Sequence, residues 1–367
     1  AVGVAESPKQ PPSTGPVAGA TFHDAPPVHI VIDHYDFDVR GNLDDAARAQ
    51  ILGADALADA VMTRFRPTAP AADAAIDCRT VGRITVDATR PLGAERNAGQ
   101  TNWTTVAVDA GVMGRADFAE VIAHETAHVC ADVLSRRHLT EKARSTRAFN
   151  EGLATVVGEA LGKRAAPRFR RVAAFARVRD LVQPDMLFDD KVLVQKVDPN
   201  LAYALGAELI RATIDVGGDD APIRAVAALD LVNKDESGVT LWRDAYQRAG
   251  VNLDAVLERF GERLEQARAD NGSWLASIPR AFASVDKKGD GELLIKVSYD
   301  GALPAGFKPA CQARRDSEVG LDEMVTVVAV DGVCHIPSAL LPGKADVQVG
   351  YVVDDIALFE AWTTVTF

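Results

Sequence analysis

The sequence predicts an α+β protein in which a small sheet with its helices is followed by a helical subdomain and then by a C-terminal β-sandwich. Three observations predict it. Alternating, β-branched runs flank one helical stretch before residue 110; helical patterns then follow one another from 117 to 270; short alternating runs return after Asn271 and Gly272. At 367 residues, two or three folding units are expected. The divisions fall at 1–25, a flexible N-terminal tether; 26–160, an α/β part; 161–273, a helical subdomain completing it; and 274–367, the β-sandwich.

The opening segment, AVGVAESPKQPPSTGPVAGA, is rich in Pro, Gly, Ser and Ala. It reads as a tether left after removal of an export signal, the alternative being an arbitrary chain boundary. Val28 to Tyr35 reads as a strand. A helix follows, with Asn42 as its cap, Asp44 and Asp45 in its first turn, and Ile51, Leu52, Leu57, Val61, Met62 and Phe65 on one stripe, before a break at Pro67. Residues 82–88 and 104–110 read as strands joined by a loop bearing Gly, Asn and Pro, and are expected to pair as a hairpin. From 117 to 136 the pattern is helical, with Phe118, Val121, Ile122, Val129 and Leu134 as its apolar positions. Further helices are expected at 149–162, 166–182, 200–216, 221–232, 240–249 and 252–270. The runs ELLIKVSY, MVTVVAV, DVQVGYVV and FEAWTTVTF supply strands of the final unit.

Composition removes several classes of function. Hydrophobic residues make up 47% and charged residues 25%, which excludes a chain disordered throughout. The net charge of −12, with no basic cluster beyond Arg168 to Arg171, argues against nucleic acid as a partner. No apolar run approaches the roughly 20 residues that cross a bilayer, so no membrane span is expected. The expected location is outside the cytoplasm: secreted, periplasmic or on the cell surface. Cys78, Cys130, Cys311 and Cys334 show no CxxC spacing, which argues against a thiolate zinc site. In an exported chain, Cys311 and Cys334 would staple one strand-rich region and leave Cys78 to Cys130. Three pairings are open to four cysteines, and four buried free thiols remain the alternative.

The chemistry concentrates at His124-Glu125-Thr126-Ala127-His128, an HExxH string within the helix expected at 117–136. Residues four apart share a helix face, so both imidazoles reach one ion. Glu125 lies one step, about 100 degrees, round the helix, where its carboxylate approaches a water at that ion without ligating it. Hydrolytic zinc sites use three protein ligands plus water, so a third is needed. The metzincin pattern would require Gly and His at the positions held by Ala131 and Leu134, and is excluded. Glu151, on the following helix, is the better candidate.

The string, together with Asn150-Glu151-Gly152-Leu153-Ala154, resembles the gluzincin zinc peptidases, in which an HExxH helix precedes a second helix bearing a glutamate ligand in an N-E-G-[FL]-A phrase. The resemblance spans about residues 80 to 270. It implies a thermolysin-like catalytic core with His124, His128 and Glu151 as metal ligands, Zn2+ as cofactor, and Glu125 as general base. It also implies an edge strand, here 104–109, that holds an extended peptide by its backbone. YALGAELIRATIDVGG is similar to the tyrosine-bearing helix of aminopeptidase-like gluzincins, which implies that Tyr203 donates to the oxyanion. The G-x-M-E-N motif of that branch is missing, with GVMG at 111–114 in its place. That departure argues against N-terminal exopeptidase action and toward an endopeptidase, or toward a distant family of other specificity.

The expected function is therefore zinc-dependent hydrolysis of peptide or protein substrates. The alternatives are a catalytically silent scaffold that keeps zinc for structure and binds a partner, and an enzyme acting on a non-peptide bond such as an epoxide. DKKGDGE at 286–292 lacks the spacing of a calcium loop and reads as a β-turn. His23, His29, His34, His138 and His335 are isolated and receive no function. Oligomeric state is not legible.

Overall fold

The computed structural model describes residues 27–40, 43–66, 78–89, 99–102, 104–162, 168–190, 192–193, 198, 201–232, 236–287, 292–315, 325–337, 344–353 and 356–366. The expected tether, Asn42, His23 and the centre of the 286–292 turn lie outside the described residues.

The first unit is a five-stranded sheet in the order β1-β2-β3-β5-β4, with β1 Val28–Val31, β2 Tyr35–Val39, β3 Ile84–Ala88, β4 Gly99–Asn102 and β5 Thr105–Val108. The single strand expected over Val28 to Tyr35 is instead the start of a hairpin: residues 32–34 turn the chain, and β1 and β2 pair antiparallel with Ile30 opposite Phe37. The strands expected at 82–88 and 104–110 are not a hairpin either. β3 and β5 run parallel, and the antiparallel partner of β5 is β4, drawn from the intervening segment. Among the described residues the sheet therefore ends on β4, and β5, expected at the edge, is internal.

Period-two alternation buries one face. Tyr35, Phe37 and Val39 lie beside Ile84, Val86 and Ala88 in the parallel register of β2 and β3, with Val106 and Val108 next along. The crossover from β2 to β3 carries helix α1, Asp45–Arg64, which begins at Asp44 because that carboxylate accepts the Ala47 amide at 2.8 Å. Its buried stripe is Ile51, Ala54, Ala58, Val61 and Met62, followed by Phe65; Leu52, expected on the stripe, is 65% exposed because it sits one step round from Ile51.

Helix α2, Phe118–Leu134, packs on this layer and is buried along most of its length. A short helix α3, His138–Glu141, leads into α4, Ala143–Gly162. The expected start at 149 was late because polar residues there are buried: Thr146 Oγ1 donates to the Leu139 carbonyl at 2.6 Å, and Ser145 Oγ accepts the Gly238 amide at 2.8 Å. The helical block continues with α5 Arg168–Val178, α6 Leu201–Gly217, α7 Ala221–Ala228, α8 Gly238–Arg248, α9 Leu253–Asp270 and α10 Gly272–Ala276. The helix expected to run to 232 becomes a 3-10 turn at Leu229–Leu231, and the one expected to run to 182 stops at Val178, two residues before Asp180 at φ 55°.

The remaining strands are β6 Ala281–Lys287, β7 Glu292–Tyr299, β8 Lys308–Arg314, β9 Val325–Val328, β10 Val333–Pro337, β11 Lys344–Val353, β12 Ile356–Phe359 and β13 Thr363–Thr366. They form one antiparallel sheet in the order β10-β7-β6 and another in the order β12-β11-β8-β9, with β13 also on β11. Leu293, Ile295, Cys334 and Ile336 of the first share a core with Cys311, Ala313, Val347 and Val349 of the second, an arrangement that fits the expected sandwich. Arg179 joins this unit to the helical block: it forms an ion pair with Glu360 Oε1 at 3.0 Å and donates to the carbonyls of Ile278 and Pro279 at 3.1 and 2.8 Å.

The cysteines pair as Cys78–Cys130 and Cys311–Cys334, closing separations of 52 and 23 residues. The first ties α2 to the 3-10 turn at Cys78–Val81; the second links the two C-terminal sheets. In the chain-entropy view the longer loop contributes about 4 kcal/mol. Replacing Cys78 and Cys130 together by serine is expected to lower unfolding free energy by up to about 4 kcal/mol in urea titration, with the m-value raised by the freer unfolded chain.

Candidate metal centre

Three helices build the site: α2 contributes His124, Glu125 and His128, α4 contributes Asn150 and Glu151, and α6 contributes Tyr203. Their closeness is set by glycines. A Cβ on Gly152 would stand 2.1 Å from the Gly206 carbonyl carbon, and one on Gly206 would stand 1.9 Å from the Ala148 carbonyl oxygen, so α4 and α6 cross backbone to backbone. On another face of α4, Gly158 and Gly162 meet Glu120 of α2, with hypothetical Cβ distances of 2.9 and 2.7 Å to its carbonyl oxygen and Cβ. The sheet side of α2 is fixed too. Thr126 Oγ1 donates to the Ile122 carbonyl and accepts from the buried Tyr35 hydroxyl, each at 2.7 Å.

At this junction His124 Nε2 and His128 Nε2 lie 3.1 Å apart, and Glu151 Oε2 lies 3.4 Å from each. Among the described residues, this is the one group of three His, Cys, Asp or Glu side chains that could hold a metal ion. Two facts test the fit. Glu151 Oε2 is buried and makes no hydrogen bond, an arrangement that costs free energy unless a cation satisfies it. Donors about 2.0 to 2.1 Å from a tetrahedral ion stand about 3.3 to 3.4 Å apart, close to the spacings seen, and two imidazoles with one carboxylate match the donor set of hydrolytic zinc. The residues fit.

Burial alone would favour neutral His128, but Glu151 overrides it and pushes the imidazole pKa up to about 9. Burial would likewise raise Glu151; His128 first, then His124, hold it well below the usual carboxylate range instead. Metal uptake by this trio therefore exchanges a proton for the ion. Asn150 Oδ1 accepts from His128 Nδ1 at 3.0 Å, which fixes that ring with Nε2 toward Glu151.

Glu125 is buried, and its charge acts on both His128 and Tyr203. The Tyr203 ring stacks on His124 at 5.8 Å and on Phe169 at 5.9 Å. Burial, and then the Glu151 charge, raise its pKa well above the ordinary tyrosine value, so the phenol is protonated at neutral pH. All five residues singled out in the sequence are thus brought together. The four isolated histidines among the described residues are not part of the site: His138 bonds the Leu229 carbonyl, His335 pairs with Glu292, His29 with Asp38, and His34 with Asp55.

Several contributors were missed. Asn150 stands beside Glu151 in the same phrase, where nothing local marks its contact with His128. The four-residue spacing of Gly158 and Gly162 within a helical pattern was a signal of close helix approach. Tyr35 and Gly206 carried no local signal, because their partners lie far away in sequence.

No family model and no curated protein matches this sequence. Among solved structures, the chain is similar to the catalytic module of the metalloprotease ZmpA from Clostridium perfringens, with a TM-score of 0.34 and 9% identity over 92% of this chain and 67% of that one. A score of that size is too low for the likeness to carry a fold or an activity.

Substitutions in the ligand set and at the helix crossing check the centre. Glu151→Ala is expected to abolish retention of zinc through gel filtration, whereas Asn150→Ala keeps the three donors and should weaken zinc affinity by about 10- to 100-fold in competition with a chromogenic chelator. Gly→Ala ordinarily stabilises a helix interior by about 1 kcal/mol, but Gly152→Ala and Gly206→Ala are each expected to destabilise by about 1 to 3 kcal/mol and to reduce zinc occupancy, read by thermal unfolding and metal analysis.

Proposed function

We propose that this chain is a zinc-dependent peptidase of the gluzincin kind, with His124, His128 and Glu151 as ligands, acting as an endopeptidase on peptide or protein substrates. The observation that carries the reading is the meeting of His124, His128 and Glu151 within 3.4 Å while a further buried carboxylate, Glu125, stands beside them on α2. When bound, zinc supplies Lewis acidity toward a carbonyl and brings the pKa of a coordinated water toward about 7.

Glu125 takes the proton of the attacking water and passes it to the leaving amine. A purely structural zinc site has no use for such a base, which disfavours the silent-scaffold alternative. Tyr203, kept protonated by burial and by Glu151, donates to the oxyanion, and its stacking on His124 holds the ring beside the centre. Asn150 holds the His128 tautomer and orientation.

The same reading includes a thermolysin-like core and the division of the chain at 25, 160 and 273. Because the sheet ends on β4, the strand offered to an extended substrate in this reading is Gly99–Asn102 rather than 104–109. Two disulfides support an exported protein, and no helix among the described residues is long and apolar enough to cross a membrane.

Unfolded casein is the first substrate to try. Glu125→Gln should retain about one zinc per chain and lose hydrolysis by at least about 100-fold, with chelation abolishing the wild-type rate. Equal turnover by the variant and the wild type would remove the mechanism.

A further inference from the structure

Arg147 lies four residues before Glu151 on α4, one turn away on the same side of the helix. Its Nη1 stands 3.5 Å from Asp190 Oδ2, and both side chains are 22% exposed. Arg147 Nε is buried and meets no acceptor, and Asp190 Oδ1 is buried and meets no donor. Both groups reach the metal centre electrostatically: the Arg147 charge acts on the Tyr203 hydroxyl, and the Glu151 charge acts on Asp190. A guanidinium thus sits at the site with its donors incompletely used.

Buried donors nearly always find acceptors, and the partner that matches a guanidinium best is a carboxylate held by two parallel N–H···O bonds of about 2.7 to 2.9 Å. The 3.5 Å contact to Asp190 is longer than such a bond. Burial also raises the Asp190 pKa, against the pull of Arg147. Apart from the ligand histidines, the charged side chains acting here beside Arg147, namely Glu125, Glu151, Asp189 and Asp190, are acidic and repel an anionic substrate group. Arg147 is the side chain of this set that attracts one.

We propose that Arg147 recognises a substrate carboxylate close to the scissile bond, either a free C-terminus or the side chain of Asp or Glu, and so determines specificity. The inference rests on the peptidase reading. Its test uses binding, in the zinc-loaded Glu125→Gln protein, by calorimetry with short N-acetylated peptides. One pair differs only in a free against an amidated C-terminus; a second, amidated pair differs only in Glu against Gln.

At least one carboxylate peptide is expected to bind about tenfold or more tightly than its neutral counterpart, and the pair that shows the gap identifies the source of the carboxylate. Adding Arg147→Gln should bring that gap within about twofold while zinc is retained. Arg147→Lys keeps the charge but loses the planar fork, so it should narrow the gap by at least about threefold, which serves if the glutamine variant does not fold. Peptides that bind with no gap, a gap untouched by both substitutions, or loss of zinc from Arg147→Gln would overturn the assignment and leave the peptidase reading standing. Failure of every peptide to bind would instead sink both.

Discussion

Where α4 crosses α6 at Gly152 and Gly206, main chain touches main chain, with no room for a side chain on either helix. Glu151 is the neighbour of one glycine and Tyr203 lies one turn before the other, so this contact sets the distance between the carboxylate and the phenol. Gly158 and Gly162 make the matching approach to α2, and bring Glu151 within 3.4 Å of both imidazoles. Glycine costs roughly 0.5 to 1 kcal/mol in a helix interior relative to alanine. Here the loss is offset by dispersion contacts between backbones that no larger residue would permit.

A second layer of charge locks the same helices from behind. Glu208 on α6 is fully buried, bonded to Arg211 at 2.7 Å and to Arg263 of α9 at 2.9 Å, while Arg211 also pairs with Glu159 of α4. Burying such ions is costly, and the Coulombic return roughly balances it when the geometry is good, so the network specifies arrangement more than it adds stability. On the sequence-near side, Phe149 stacks on Trp242 at 4.2 Å, and the Trp242 indole donates to the Ser145 carbonyl at 2.7 Å. The turn of α4 that carries Asn150 and Glu151 is therefore anchored on several sides, as a preorganised ligand set requires.

Legibility of the fold followed the range of the forces involved. Helices α2, α6 and α9 were placed within a residue or two because 3.6-residue periodicity is a local signal. Strand partners were not local: β4, with no apolar alternation, was invisible, and without it the parallel pairing of β3 and β5 was read as a hairpin. The start of α4 was missed because Ser145 and Thr146 are buried through hydrogen bonds rather than by apolarity. Leu52 was placed on the wrong side of α1 because its apolar neighbour Ile51 already occupied the buried face.

By itself, the sequence determined the chemical types at the centre. HExxH fixes two imidazoles on one helix face and a carboxylate beside them, because helix geometry alone relates positions one and four residues apart. The expected pairing of the cysteines by region was also within its reach. Only the tertiary structure decided how Glu151 and Tyr203 approach that face, that Asn150 steadies His128, and that Arg147, one turn before Glu151, faces Asp190. Those relations depend on backbone contacts between helices separated by many residues, and no local pattern records a distance across such a gap.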